Sequence, residues 1–151
     1  DYADNVTLVL DDLNEPQPDL TLFIHPECGG QAQISEDGYL VGGPELVAEI
    51  SLSSLAIDRG PKRRVYEQHG IQEYILWRVE DHRIEWYSLS DQGYQLLAAD
   101  TDGIIRSLVF SGLWMDVEAT LRRDGPTAIK CLRQGLSSSE HKSFRERLTR
   151  E

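Results

Sequence analysis

Apolar residues in this chain fall in short runs separated by turn residues, the pattern of many short strands with a few helices. Residues 5–10 (NVTLVL) read as a strand, and residues 11–18, rich in Asp, Asn and Pro, as turn material. Residues 20–24 form a short apolar strand that starts just after Pro18-Asp19. Residues 25–37 carry a proline and two glycines and predict a loop or a poorly formed hairpin. Gly42-Gly43-Pro44 is a sharp turn, and residues 46–52 (LVAEISL) are a compact apolar strand holding one charge, Glu49.

A helix follows. Asp58 suits its N-cap, Pro61 its first turn, and Gly70 its end. Residues 73–79 (EYILWRV) and 83–89 (RIEWYSL) are rich in aromatic and branched side chains, and the short connection between them predicts a hairpin. Residues 94–98 and 104–110 read as two further strands, and residues 116–123 as a short helix. The tail is helical again: Ser137-Ser138-Ser139-Glu140 has capping-box spacing, and Phe144 and Leu148 lie four apart on one face. Three strands, a helix and two strands in that order imply an α/β fold, a mixed sheet with a helix packed on it.

The chain has 151 residues, enough for one core. No apolar run approaches the ~20 residues of a membrane helix, and no basic-then-apolar leader opens it. Cys28 and Cys131 form no CxxC pair and read as reduced thiols of a cytoplasmic protein. Charge is unevenly placed. Residues 1–50 contain eleven acids and no Lys or Arg, so the net charge of −11 arises there, while the rest balances fifteen acids with fifteen bases. Such a chain is not a generic nucleic-acid binder, which needs clustered cations. An acidic half can concentrate a divalent ion, and it can equally be a solvated surface that keeps the protein soluble.

Glu49 is the anomaly, because a strand buried on both faces rarely carries a carboxylate unless it is paired or binds a metal. Alternation puts Val47, Glu49 and Ser51 on one face. If the strands at 20–24 and 46–52 pair, Asp19 and Glu49 meet at one end. Two carboxylates there suit Mg²⁺ or Mn²⁺, with Lys62 on the next helix within reach. Plainer readings stand beside this one. Asp19 is a turn residue, Glu49 pairs with Lys62 or Arg64, Asp58 caps its helix, and Tyr66 packs. Arg59, Lys62, Arg63 and Arg64 form the densest basic cluster, either as phosphate contacts or as a solvated helix start. His25 and His69 read as packing or surface residues. Trp77, Trp86 and Trp114 read as core or interface. Lys142, Arg145, Arg147 and Arg150 alternate with acids as a solvated face.

The ordered set Pro18-Asp19, Gly43-Pro44, Glu49-Ile50 followed by Ser51, Asp58-x-x-x-Lys62-x-x-x-Tyr66, Gly70, Glu73-Tyr74 and Leu113-x-x-Asp116-Val117 resembles the Uma-two family of restriction-endonuclease-like proteins, a branch of the PD-(D/E)XK superfamily. The resemblance implies a restriction-endonuclease-like domain over residues 1–124, lacking its N-terminal helix, while residues 125–151 do not match the family and read as a helical extension for self-association. It implies Mg²⁺-dependent (or Mn²⁺-dependent) hydrolysis of nucleic-acid phosphodiesters, most of all in DNA. Asp19, Glu49 and the Ile50 carbonyl would hold the metal, and Lys62 would assist the attacking water. Ser51, Tyr66 and Asp58 would support them, with Arg59, Arg63 and Arg64 toward phosphate. Ser51 stands where the superfamily motif has its lysine, which the family moves to the helix as Lys62. A homodimer is expected for duplex cleavage, and no membrane partner. The alternative is a catalytically silent relative acting as an assembly or binding module, which the acidity favours. An RNA or nucleotide substrate is a third reading.

Overall fold

The computed structural model describes residues 1–52 and 60–149. The chain forms two compact units, Asp1–Gln95 and Leu96–Glu151. The expected division between residues 124 and 125 therefore falls inside the second unit. The architecture is mixed α/β, as the order of apolar runs implied.

The first unit is built on a six-stranded mixed sheet. Its strands are β1 (Tyr2–Asp4), β3 (Leu20–Leu22), β6 (Leu46–Ser51), β7 (Glu73–Arg78), β8 (Arg83–Ser90) and β9 (Gly93–Leu96), side by side in that order. β3 runs antiparallel to β1 and β6, β7 runs parallel to β6, and β8 antiparallel to β7. Parallel neighbours need a crossover, which here contains helix α1 (Pro61–Gln68). Its Tyr66 ring lies 5.5 Å from that of Tyr74 on β7, so α1 covers one face of the sheet. The core gathers there: Val47, Tyr66, Ile71, Tyr74, Leu76 and Tyr94 are buried in one cluster. Gly70, with φ of 70°, ends the helix in the left-handed conformation. Described from its N-cap, Gly60, the helix has no side-chain cap. Asp58, the expected cap, and Arg59 and Arg150 lie outside the described residues.

Several expected elements are shorter. Of residues 5–10 only β2 (Leu8–Val9) is a strand, in a small sheet with β5 (Leu40–Val41) and β4 (Gln33–Ile34). The segment 25–37 is more ordered than a loop: it contains a 3-10 turn, Pro26–Cys28, and then β4. β3 spans three residues rather than five, because the chain after it is drawn aside by Glu45. That fully buried carboxylate accepts the backbone N–H of Ile24 at 2.7 Å and of Gln31 at 3.1 Å.

The second unit holds a two-stranded ribbon, β10 (Ile104–Arg106) and β11 (Trp114–Asp116), then α2 (Val117–Leu121), α3 (Gly125–Leu136) and α4 (Ser139–Leu148). The strand expected over 104–110 stops at Arg106 because the Ser107 hydroxyl accepts from the N–H groups of Val109 and Phe110 and turns the chain. Asp116 and Asp124 cap α2 and α3. α4 is capped by Ser138, not by Ser137 as the capping-box spacing suggested; Ser137 ends α3. A Cβ on Gly135 would stand 2.2 Å from the Gly112 carbonyl oxygen, so only glycine lets α3 approach that turn. Cys28 and Cys131 are free thiols. Among the described residues no helix is long and apolar enough to cross a membrane.

Glu45→Ala strands two buried N–H groups, and the expected loss is about 2–4 kcal/mol of stability, with Glu45→Gln recovering part of it. Urea denaturation midpoints measure this. An unshifted midpoint in the alanine variant would show that the carboxylate is not what fastens the loop.

Candidate active site

The sheet face under α1 carries the anomalous carboxylate. β6 alternates, so Val47 and Glu49 point into the α1 side, where both are buried. The opposite face of this strand end is open, since Ile50 and Leu52 are exposed. The expectation of a strand covered on both faces therefore fails here, and among the described residues it is α1 that packs over Glu49. α1 also supplies its partners. The Tyr66 hydroxyl donates to Glu49 Oε1 at 2.6 Å, and the Lys62 ammonium stands 3.2 Å from both carboxylate oxygens. Lys62 and Tyr66 are four apart and so share one side of the helix.

Burial pushes the Glu49 carboxyl above its ordinary value of 4.5. The Tyr66 hydrogen bond and the Lys62 charge oppose that rise, and the negative charge of Asp19 adds to it. The Tyr66 phenol is driven far up, first by burial and then by Glu49, so it remains a donor.

Asp19 comes from the neighbouring strand. Leu20 pairs with Ala48, and the same antiparallel register continued by one residue sets Asp19 opposite Glu49. Its carboxylate accepts the Ile50 N–H at 2.6 Å. Along an extended strand the N–H and C=O of one residue point to the same edge. The Ile50 carbonyl therefore also faces the Asp19 side. Asp19, Glu49 and that carbonyl are hard oxygen donors at one strand end, the donor chemistry of Mg²⁺ or Mn²⁺. Among the described residues no three His, Cys, Asp or Glu side chains group to hold an ion. A two-carboxylate set still fits Mg²⁺, which keeps several waters. The repulsion between the two acids is relieved on the Glu49 side by Lys62.

The other expected residues divide. Ser51 follows Glu49 on the same face, partly buried. Arg63 turns toward β8 and β9: its guanidinium lies 4.3 Å from the Tyr87 ring centre and donates to the Tyr94 carbonyl. Arg64 is exposed. His69 is occupied elsewhere, between the Val65 carbonyl and Asp11. Trp86 is core.

Glu85 shares this face and was not singled out from the sequence. The register runs Glu49, Leu76, Glu85 across three strands. Glu85 is buried and receives Arg83 at 3.0 Å, Arg78 at 3.5 Å and the Tyr87 hydroxyl at 3.0 Å. Its signal was legible, a carboxylate inside an aromatic strand as at Glu49. A cavity of about 190 Å³ opens beside it, lined by Arg63, Tyr74, Leu76, Glu85 and Tyr87.

The family model named Uma2, described as "Putative restriction endonuclease", matches residues 1–118. A solved crystal structure of a "putative nuclease belonging to DUF820" from Anabaena variabilis ATCC 29413 is similar in fold. Its TM-score is 0.52 and its identity 16%, over 89% of this chain and 68% of that one. No curated protein matches the chain.

A raised carboxyl pKa fixes the sign of a pH effect. The folded state holds the Glu49 proton more tightly than the unfolded chain does, so this residue's contribution is fully present below the unfolded value and is lost as pH rises. In metal-free buffer the stability of the native protein relative to Glu49→Gln should therefore fall as pH climbs above 4.5. Carboxyl NMR titration should place the Glu49 midpoint above 4.5, and higher still in Tyr66→Phe. A midpoint that drops in Tyr66→Phe would contradict the assignment of the hydroxyl as donor.

Proposed function

The chain belongs to the Uma2 family, and on that premise we propose that it is a metal-dependent nuclease that hydrolyses nucleic-acid phosphodiester bonds, with DNA as its substrate. One observation carries this reading. The buried Glu49 carboxylate, whose ionised form burial disfavours, is surrounded by the groups that phosphodiester hydrolysis requires. Asp19 stands opposite it on the neighbouring strand, and Lys62 and Tyr66 touch it. The descriptions "Putative restriction endonuclease" and "putative nuclease" of the family and the solved structure agree with that chemistry.

Asp19, Glu49 and the Ile50 carbonyl would hold Mg²⁺ or Mn²⁺. When bound, such an ion supplies Lewis-acid polarisation of the phosphodiester and a lower pKa for the attacking water. The remaining work falls to the chain. Tyr66 favours the ionised form of Glu49 and fixes the carboxylate plane through the hydrogen bond to Oε1. The Ile50 N–H holds Asp19 in one orientation. Lys62 is 35% exposed along its side chain, enough for its ammonium to face both Glu49 and solvent. It orients the attacking water and offsets the negative charge that builds on the phosphate oxygens. Ser51 supports this end of β6. Asp58 and Arg59 adjoin the start of α1 in sequence, and Arg64, exposed in its first turns, is the phosphate contact, whereas Arg63 is held by the Tyr87 ring and the Tyr94 carbonyl. A homodimer would set two such sites on opposite strands of a duplex.

A second reading rests on the same contacts. Lys62 bridging both Glu49 oxygens is also what a structural ion pair looks like, in a silent relative that serves as a binding or assembly module. Calorimetric titration with Mn²⁺ separates the two. A nuclease takes up the ion near one per chain, and the heat disappears in Asp19→Asn and Glu49→Gln. A silent module shows only weak, non-saturating heat.

With Mg²⁺ and plasmid DNA, Asp19→Asn and Glu49→Gln are expected to abolish nicking while the urea midpoint stays within the folded range. Lys62→Met is expected to lower the rate about 10²–10³-fold. Cleavage retained in either carboxylate variant removes the assignment.

A further inference from the structure

The family match ends at residue 118, and the charge changes sign there. Residues 1–118 hold twenty-two acids and seven bases, whereas residues 119–151 hold eight bases and four acids. The structure shows where those bases go. Lys130 and Arg133 on α3, and Lys142 and Arg145 on α4, are all exposed. They line two adjoining depressions of about 710 Å³ and about 500 Å³ that meet at Ser137. Among the described residues none of the four has a carboxylate within ion-pair distance. The first unit is arranged differently, with Lys62, Arg78 and Arg83 each spent on a glutamate.

Four unneutralised cations, with Gln134 and Ser137 between them, form a surface for repeated anionic groups. Among the described residues no Phe, Tyr or Trp lines either depression to offer a platform for stacking bases of a single strand. Duplex DNA presents one phosphate charge per ~1.7 Å of axis and is bound through cations and hydrogen-bond donors without base contact. We infer that the α3–α4 groove is a docking surface for the phosphate backbone of duplex DNA, and that it supplies affinity which the acidic first unit lacks. This deepens the nuclease reading and rests on it for the choice of partner. A rival occupant is the acidic surface of a second copy.

The test measures binding and cleavage separately on the full chain. A fluorescent 20-base-pair duplex (about two turns, longer than the groove needs) is titrated in buffer with chelator, at several salt concentrations. The variant Lys130→Gln/Arg133→Gln/Lys142→Gln/Arg145→Gln should raise the Kd by at least about tenfold and flatten the salt slope by about 3–4. Glu146→Gln, which removes an acid from the second depression, should tighten binding. Circular dichroism checks that the variants remain folded, as expected for exposed side chains. Unchanged affinity and slope overturn the inference. So does a shift to monomer by light scattering with DNA binding intact, which assigns the groove to a second copy. Groove-dependent binding in a chain that cuts nothing would sink the nuclease reading alone. Cutting and binding that ignore the groove would sink this inference alone.

Discussion

The buried carboxylate of Glu49 is the constraint from which the rest of the first unit follows. An ionised carboxylate removed from water costs several kcal/mol unless donors replace its hydration. Here the donors come from one helix, Lys62 and Tyr66, and the helix can reach the strand only because β6 and β7 are parallel and the chain must cross over between them. The crossover that topology requires thus supplies the donors that electrostatics requires. Tyr66 also joins the rings of Tyr74, Tyr87 and Tyr94 in one aromatic cluster that packs α1 on the sheet.

β3 and β6 pair over only three positions, too few to hold a register firmly. Both ends of the pair are clipped by an acid that accepts a backbone N–H from the facing segment. Glu45, just before β6, takes Ile24, and Asp19, just before β3, takes Ile50. A slip of one residue would break both clips and turn Glu49 to the open face. Asp19 therefore holds the register as well as standing in the proposed site. A variant at this position tests catalysis cleanly only when its fold is measured alongside.

Legibility in the sequence tracked how strongly each element is determined by its own residues. Residues 73–79 and 83–89 formed the expected hairpin because aromatic and branched side chains fill both faces of central strands. Gly70 ended α1 because the turn needs positive φ. Glu49 was visible as a charge in an apolar run, and Glu85 carried the same signal. The two-residue strands β2, β4 and β5 were not legible, since so short a run has no period; tertiary pairing makes them. The α4 cap missed by one residue because three successive serines are chemically equal, and only the path of α3 decides that Ser137 closes one helix and Ser138 opens the next. Arg63 appeared as a phosphate contact from its place in a basic run, yet an aromatic ring beside it offers a nearer partner.

The distribution of charge follows from the same chemistry. A site that gathers carboxylates around a cation repels the polyanion it would act on, and most acids of this chain lie in the unit that carries the site. Long-range repulsion acts beyond the contact distance of any single residue, and falls within a Debye length of about 8 Å at physiological ionic strength. Local cations are thus the remedy, and they must not be consumed by neighbouring acids. In the first unit most are consumed: Lys62, Arg78 and Arg83 are bound to glutamates and Arg63 is stacked on tyrosine, while Arg64 is exposed. In the second unit Lys130, Arg133, Lys142 and Arg145 have no ion-pair partner among the described residues, and Asp124 and Glu140 sit at the N-terminal turns of α3 and α4. Acids at helix starts satisfy the macrodipole, and beyond those turns Glu146 is the one acid on α3 and α4, against five bases.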